Sequence, residues 1–325
     1  MKLAVYSTNQ NEEYYFRKIN SRHELLFTNK RLTLQTVSFA KACEAVCCFV
    51  TDTLDNLVLK SLVSQGVQLI ALRSAGYDYI DLDAAHSLGL VVVRVPEYSP
   101  QAVAEFAVGL ILSLSRKIPQ SIAKLQRQDF SLQGLLGFNL QGKNVGIIGT
   151  GHIGTAFARI MQGFGCHLLA YDPYPNAACK QLGVKYVELE TLYKQADIIS
   201  LHCLLNASTH HIINAAALMQ MKKGTMLINT GRGALIDTAA LIAALDDGRI
   251  SFAGLDVYED EKGLYFVDHS THPVQDEQFL KLQSYPNVVM TGHMAFFTEE
   301  AMNNIAKITI ANIDAFENKK PTNIL

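Results

Sequence analysis

Arg232, Glu261 and His293 each follow a separate short apolar run: TMLINTG, GLDVYED and NVVMTG. If those runs are parallel strands of one sheet, the three side chains emerge on its carboxyl edge, the crevice where open α/β sheets hold ligands. A guanidinium grips a carboxylate through a planar fork that lysine lacks. An imidazole exchanges a proton near neutral pH, and a carboxylate hydrogen-bonded to it fixes its tautomer and stabilises the protonated form. The set suits proton transfer on a carboxylate-bearing substrate. Each residue also has a plainer reading. Arg232 could be a surface arginine at a strand end, His293 a satisfied structural histidine before Met294, Ala295, Phe296 and Phe297, and Glu261 part of a solvated acidic loop with Glu259 and Asp260. Glycines on both sides of Arg232, which let the backbone approach a ligand closely, favour its functional reading.

A second chemical feature is the turn Gly149-Thr150-Gly151-His152-Ile153-Gly154, between a strand-like run from Asn144 to Ile148 and a helical pattern of Ile153, Phe157, Ile160, Met161 and Phe164. In such a G-x-G-x-x-G turn the first glycine allows the bend, the second lets a pyrophosphate reach the backbone and the third lets helix pack on strand. The helix N-terminus supplies free amides and partial positive charge. The next strand-like run, HLLAY, ends at Asp172, about where an acidic residue would hydrogen-bond the adenosine ribose. A carboxylate there repels a 2′-phosphate, so NAD is expected over NADP. The competing reading is a solvated turn with an ordinary surface aspartate.

Elements must position these residues. At 325 residues the chain is long for one core and suits two domains. A 49% hydrophobic and 18% charged composition describes a globular protein, and a net charge of −2 offers no broad basic face for nucleic acid or a membrane. The start, MKLAVYSTNQNEEYYF, turns polar too soon for a secretory signal, and no apolar run approaches the ~20 residues of a spanning helix, so a cytoplasmic location is expected. The six cysteines form no CxxC pair, and neither a disulfide framework nor a metal site is expected.

Ten short runs (LAVYS, AVCCFV, QLIAL, VVVRV, NVGIIG, HLLAY, DIISL, TMLIN, FAGLDV and NVVMT) alternate with helical patterns, which predicts parallel sheets with crossover helices. Between the fourth and fifth run, Ser99 can cap a helix starting at Pro100, with Val103, Phe106, Ala107, Leu110, Ile111 and Leu114 as its stripe. A last helix is expected after Thr298, with Glu299 and Glu300 in its first turn and a stripe of Met302, Ile305, Ala306, Thr309, Ile313 and Phe316. Periodicity alone leaves open whether that helix stays with the second domain or returns to the first.

The chain resembles the D-isomer-specific 2-hydroxyacid dehydrogenases, and most closely the members acting on D-lactate. The stretches LRSAGYDYIDL, VPEYSPQAVAEFA, VGIIGTGHIG, YDPYP, QADIISLH, LINTGRGALID, GLDVYEDE and TGHMAFFT carry the resemblance, in that order, across most of the chain. It implies a Rossmann NAD-binding domain (100–296) inserted into a discontinuous, flavodoxin-like substrate domain (1–99 and 297–325), both doubly wound parallel sheets. Arg232 would bind the substrate carboxylate and polarise the keto group, His293 would be the general acid/base, and Glu261 would orient it. Amides at Ala75 and Gly76 would meet the carboxylate, with Tyr98 and Phe296 shaping the pocket. NAD would be contacted by the three glycines and by His152, Ile153, Asp172, Cys203, Leu204, Thr209, Thr230, Gly231, Arg232 and Asp256. The reaction implied is reversible reduction of pyruvate to D-lactate by a homo-oligomer, dimer or tetramer. A bulkier 2-keto acid, phosphoglycerate formation, or a non-catalytic NAD-sensing module are the alternatives. Two departures stand out: Cys203-Leu204, where many relatives have a residue followed by proline, and Gly292, where many have proline before the histidine.

Overall fold

The computed structural model describes all 325 residues. In chain order the elements run β1 (Lys2–Val5), α1 (Gln10–Ile19), β2 (Glu24–Phe27), β3 (Ala45–Cys48), α2 (Asn56–Ser64), β4 (Leu69–Leu72), α3 (Leu82–Ser87) and β5 (Val91–Arg94). They continue through α4 (Pro100–Ser115), α5 (Ile118–Gln126), β6 (Asn144–Ile148), α6 (His152–Gly163), β7 (His167–Tyr171), α7 (Ala177–Gln181), β8 (Lys185–Tyr186), α8 (Leu189–Gln195) and β9 (Ile198–Leu201). The chain closes with α9 (Ala215–Gln220), β10 (Thr225–Asn229), α10 (Thr238–Asp246), β11 (Ile250–Leu255), α11 (Glu277–Ser284), β12 (Val288–Met290) and α12 (Glu299–Glu317). Two compact units result, one of Met1–Ser99 with Phe297–Leu325, the other of Pro100–Phe296.

The first unit's sheet has the order β2-β1-β3-β4-β5 with every pair parallel, the flavodoxin-like winding. Its central strands β3 and β4 are buried along their whole length, as a sheet covered on both faces requires. One covering layer is α12. Thr298 caps it by accepting a hydrogen bond from the Ala301 amide, and Ala306, Ile310 and Ile313 pack with Leu3, Val5, Phe16, Ala71 and Val93. Wholly buried Asn312 donates to the Arg94 carbonyl at 2.8 Å.

The second unit's sheet, β12-β11-β10-β9-β6-β7-β8, is again wholly parallel. Renumbered within the unit this is the Rossmann order with one strand added, and its winding reverses between β6 and β9. Helix α4 lies against β10 and β11. A Cβ on Gly254 of β11 would sit 3.1 Å from Leu110 Cβ and 3.3 Å from Leu114 Cδ1, so the absent side chain is what lets α4 come this close.

The parallel sheets expected from the alternation of runs are present, doubly wound as the resemblance implies. Two strands lie outside those ten runs, β2 and β8, each at a sheet edge. β8 has only two residues, and β2 has four with none buried. No helix is long and apolar enough to cross a membrane. Replacing Ile313 by Ala should destabilise the first unit by about 2–5 kcal/mol; denaturant unfolding should show an earlier midpoint, and an unchanged midpoint would mean that α12 is not a core layer of this unit.

Candidate active site

The glycine turn after β6 separates demands made by the protein from demands left to a ligand. Gly149 has φ +93°, and a Cβ there would lie 2.4 Å from the Cys203 amide nitrogen. A Cβ on Gly154 would lie 2.1 Å from the Gly149 carbonyl oxygen. No larger residue fits at either position without moving backbone. Gly151, at the start of α6, would meet nothing within 4 Å and supplies no side-chain cap. The helix N-terminus therefore opens on free space bordered by a residue with no side chain, a shape that fits a pyrophosphate. His152 and Ile153 form the helix's first turn, the latter half-buried.

Asp172 stands at the end of β7 and faces this turn. Its Oδ2 accepts from the Thr150 amide at 2.7 Å and the Thr150 hydroxyl at 3.1 Å, and its Oδ1 accepts from the Tyr174 amide at 2.8 Å. The Tyr186 hydroxyl of edge strand β8 donates to Thr150 Oγ1, and Asn176 donates to the Thr150 carbonyl. Sequence reasoning missed Thr150, Asn176 and Tyr186; only the bare Thr between two glycines hinted at them.

Beneath the turn lies His202, whose amide donates to the Ile148 carbonyl and whose ring packs on Phe157 with centroids 4.8 Å apart. Its Nε2 lies 2.9 Å from Ser200 Oγ, and burial pushes its pKa down to about 3. Beyond it Cys203 is half-buried, its thiol pushed up to about 11 by burial, and Leu204 is exposed. Thr209 closes this loop, its hydroxyl donating to the Leu204 carbonyl at 2.6 Å. Thr230, after β10, is buried, and its hydroxyl oxygen has no partner within the protein, which leaves a polar atom for a bound group to satisfy.

Strands β10, β11 and β12 are parallel neighbours with Asn229, Leu255 and Met290 in register. All three loops thus leave the same sheet edge. After β10, buried Asn229 folds its amide over the turn, accepting from the Gly231 amide at 3.0 Å and donating to the Arg232 carbonyl at 2.8 Å. Half-buried Arg232 places Nη1 3.0 Å from the Gly231 carbonyl. A Cβ on Gly233 would lie 2.0 Å from the Tyr258 carbonyl carbon, so the loops after β10 and β11 run in direct backbone contact.

After β11 comes Asp256, wholly buried. Its Oδ1 accepts from the Thr291 hydroxyl at 2.6 Å and the Met294 amide at 3.0 Å, its Oδ2 from the Ala295 amide at 2.8 Å, and its carbonyl from the His293 amide at 2.7 Å. Asp256, which the family resemblance places among the NAD contacts, uses its carboxylate to hold the loop after β12. That grip keeps His293 at φ +52°, a conformation non-glycine residues seldom adopt.

His293 Nδ1 lies 2.8 Å from Glu261 Oε1, and both side chains are largely buried. A carboxylate only accepts, so Nδ1 carries the proton and Nε2 is the exchangeable nitrogen. Glu261 is held by the Tyr258 amide at its Oε2, and its carbonyl accepts from the Leu264 and Tyr265 amides. The acidic loop is not uniformly solvated: Asp260 is exposed, but Glu259 accepts from the Thr238 amide at 3.1 Å and bonds His211 Nε2 at 2.5 Å. Despite its burial, those partners keep Glu259 below the usual carboxylate range. Gly292 does not adopt a left-handed conformation, so Asp256 rather than a special turn shapes this loop. The Phe266 ring, missed by sequence reasoning, lies 5.5 Å from the His293 ring, and half-buried Phe296 ends the unit.

The remaining candidates belong to the first unit, beyond β4 and β5. The Ala75 carbonyl accepts from Arg94 Nη1 at 2.7 Å and the Gly76 carbonyl from the Ser74 hydroxyl at 2.7 Å, while neither amide donates within that unit. Tied carbonyls with free amides suit an anion. Tyr98 is half-buried, its carbonyl accepting from Asn304.

Comparison with known proteins agrees with this architecture. The model of the D-isomer specific 2-hydroxyacid dehydrogenase, NAD binding domain, matches residues 108–295. The D-lactate dehydrogenase of Escherichia coli is 49% identical over 98% of this chain and 97% of its own length. Its apo structure superposes with a TM-score of 0.91 at 47% identity, covering 100% of both chains. The pyruvate reductase of Chlamydomonas reinhardtii superposes with a TM-score of 0.93 at 44% identity, covering 99% of this chain and 97% of its own. The chain belongs to the D-isomer-specific 2-hydroxyacid dehydrogenases, and it is an enzyme of that family.

The neutral state of His202 has a consequence for stability. A histidine whose folded pKa is depressed costs nothing above its ordinary value of 6.5, and progressively destabilises the fold as pH falls from there toward 3. A His202→Gln variant should lose less stability than the parent across that window, read as Tm against pH. Parallel curves would show that His202 is not the group responsible.

Proposed function

We propose that this enzyme reduces pyruvate reversibly to D-lactate with NADH. The observation that carries the reading is the 2.8 Å contact of His293 Nδ1 with Glu261, on a loop neighbouring that of Arg232 at one sheet edge. The D-lactate dehydrogenase and pyruvate reductase activities named for two similar proteins support the choice of substrate. NADH, its phosphates at the Gly149–Gly154 turn, supplies the hydride for the keto carbon. Asp172 accepts the ribose hydroxyls and places a carboxylate where a 2′-phosphate would stand, which favours NAD over NADP. The orphaned Thr230 hydroxyl is assigned to the same bound group.

Arg232 pairs with the substrate carboxylate and polarises the carbonyl, an ion pair for which the guanidinium fork is suited. His293 delivers a proton from Nε2 to the keto oxygen during reduction and takes it back during oxidation. Glu261 holds the ring in the tautomer that leaves Nε2 available and stabilises the imidazolium. Amides of Ala75 and Gly76 are assigned to the substrate carboxylate, and Tyr98 and Phe296 to the wall around the methyl group. Asp256 positions His293 rather than touching the reacting atoms.

Reduction needs imidazolium and oxidation needs neutral imidazole. Glu261→Gln removes the charged partner of Nδ1 and should lower kcat more than it raises KM, while His293→Ala should lower kcat by roughly 10²–10⁴. An unchanged kcat in Glu261→Gln would reject the coupling. Assays with larger 2-keto acids, and chiral analysis of the product, distinguish D-lactate formation from action on a bulkier acid.

The working form is proposed to be a homo-oligomer. No residue of α5 is buried, and Ile122, Leu125, Phe130, Leu132 and Leu136 lie exposed on it and on the segment after it. Apolar surface of this extent is normally covered. Sedimentation should show a particle larger than 35.9 kDa; a monomer at working concentration would overturn the proposal.

A further inference from the structure

A cluster of potential ligands lies on the second unit, apart from the residues assigned to the reaction. His210, His211 and Glu259 each offer one nitrogen or oxygen, and these atoms lie within 4.8 Å of one another. The two imidazoles are stacked, with centroids 4.0 Å apart and planes inclined by 29°. His211 is held at φ +51° by donation of its amide to the Ala234 carbonyl. Glu259 sits at the N-terminus of α10, its Oε2 fixed by the Thr238 amide and its Oε1 turned to His211.

An ordinary histidine–glutamate pair needs one imidazole, and here a second is laid against the first. Protonating both rings would set two like charges face to face beside a single carboxylate. Two neutral imidazoles and one carboxylate, by contrast, form a ligand set of net charge −1, well matched to a divalent cation. We propose that His210, His211 and Glu259 bind a borderline divalent transition-metal ion, zinc foremost. The ion takes the place of the proton shared by His211 Nε2 and Glu259 Oε1, releasing it to solvent, and exposed His210 swings in to complete a two-nitrogen, one-oxygen set with a water position open. The Thr238 amide orients the ligating carboxylate.

The position gives binding a structural consequence. Glu259 follows Tyr258, against which Gly233 packs, and His211 is tied to Ala234. An ion at this point fastens the loop of residues 206–212 to the turn that carries Arg232 and to the chain leading to Glu261. It is a brace on these loops, and its binding does not depend on the substrate assignment.

Full-length protein, freed of metal with EDTA, should bind zinc chloride with one-to-one stoichiometry in calorimetry, and its Tm should rise with zinc and fall back on adding EDTA. His210→Ala, at an exposed position, should weaken binding by more than the roughly tenfold that loss of a group hydrogen-bonded to a ligand costs. Glu259→Gln keeps an acceptor for Thr238 but removes the anionic ligand and should do the same. A His269→Ala/His272→Ala double variant, altering two histidines outside the cluster, should retain both affinity and Tm shift. Wild-type affinity in His210→Ala, or loss of binding in the His269/His272 variant instead, would overturn the proposal.

Discussion

The carboxylate of Asp256 is the constraint on which the arrangement at the edge of the second sheet depends. Burying an unpaired carboxylate costs several kcal/mol, so it persists only where donors replace the lost water. Here the replacements are the Thr291 hydroxyl and the Met294 and Ala295 amides, all from the loop after β12. The same residue's carbonyl takes the His293 amide. The end of β11 thereby dictates the course of the chain beyond β12, and the left-handed conformation of His293 is maintained by four bonds to one residue.

A comparable logic joins the loop after β10 to the one after β11. Asn229 closes the turn carrying Arg232 from within, and Gly233 lets that turn lie on the Tyr258–Glu259 backbone. Glu259 then reaches the first turn of α10 and His211, while Glu261, two residues on, reaches His293. Two glutamates separated by one residue thus serve different partners, with a turn at residues 259–260 between them. Parallel register sets the heights of the three strand ends, and these local bonds set the rest.

Much of this was legible in the sequence and some was not, for identifiable reasons. Eight of the ten apolar runs are interior strands, where burial on both faces demands apolar residues, and the other two are the edge strands β5 and β12. Edge strands β2 and β8 went unread because β8 has only two residues and β2 only four, none of them buried. The strand-end positions of Arg232, Glu261 and His293 followed from those runs, but the sequence could not tell an inward glutamate from a solvated one in an acidic stretch. That depends on Tyr258 and on the close approach at Gly233, a contact between residues far apart in the chain. The grip of Asp256 on the loop after β12 was likewise opaque, because its partners lie 35 or more residues away.

The glycine turn shows how a motif can be divided into parts with different physical causes. Gly149 and Gly154 answer to the protein itself, since a Cβ on either would strike backbone at Cys203 or at Gly149. They would be required whether or not anything bound there. Gly151 is different, because a side chain there would meet only open space. Helix formation gains nothing from glycine at this position over a capping serine or aspartate, each of which would satisfy an orphan amide. The fold thus supplies no reason for Gly151, and a ligand that needs those amides does.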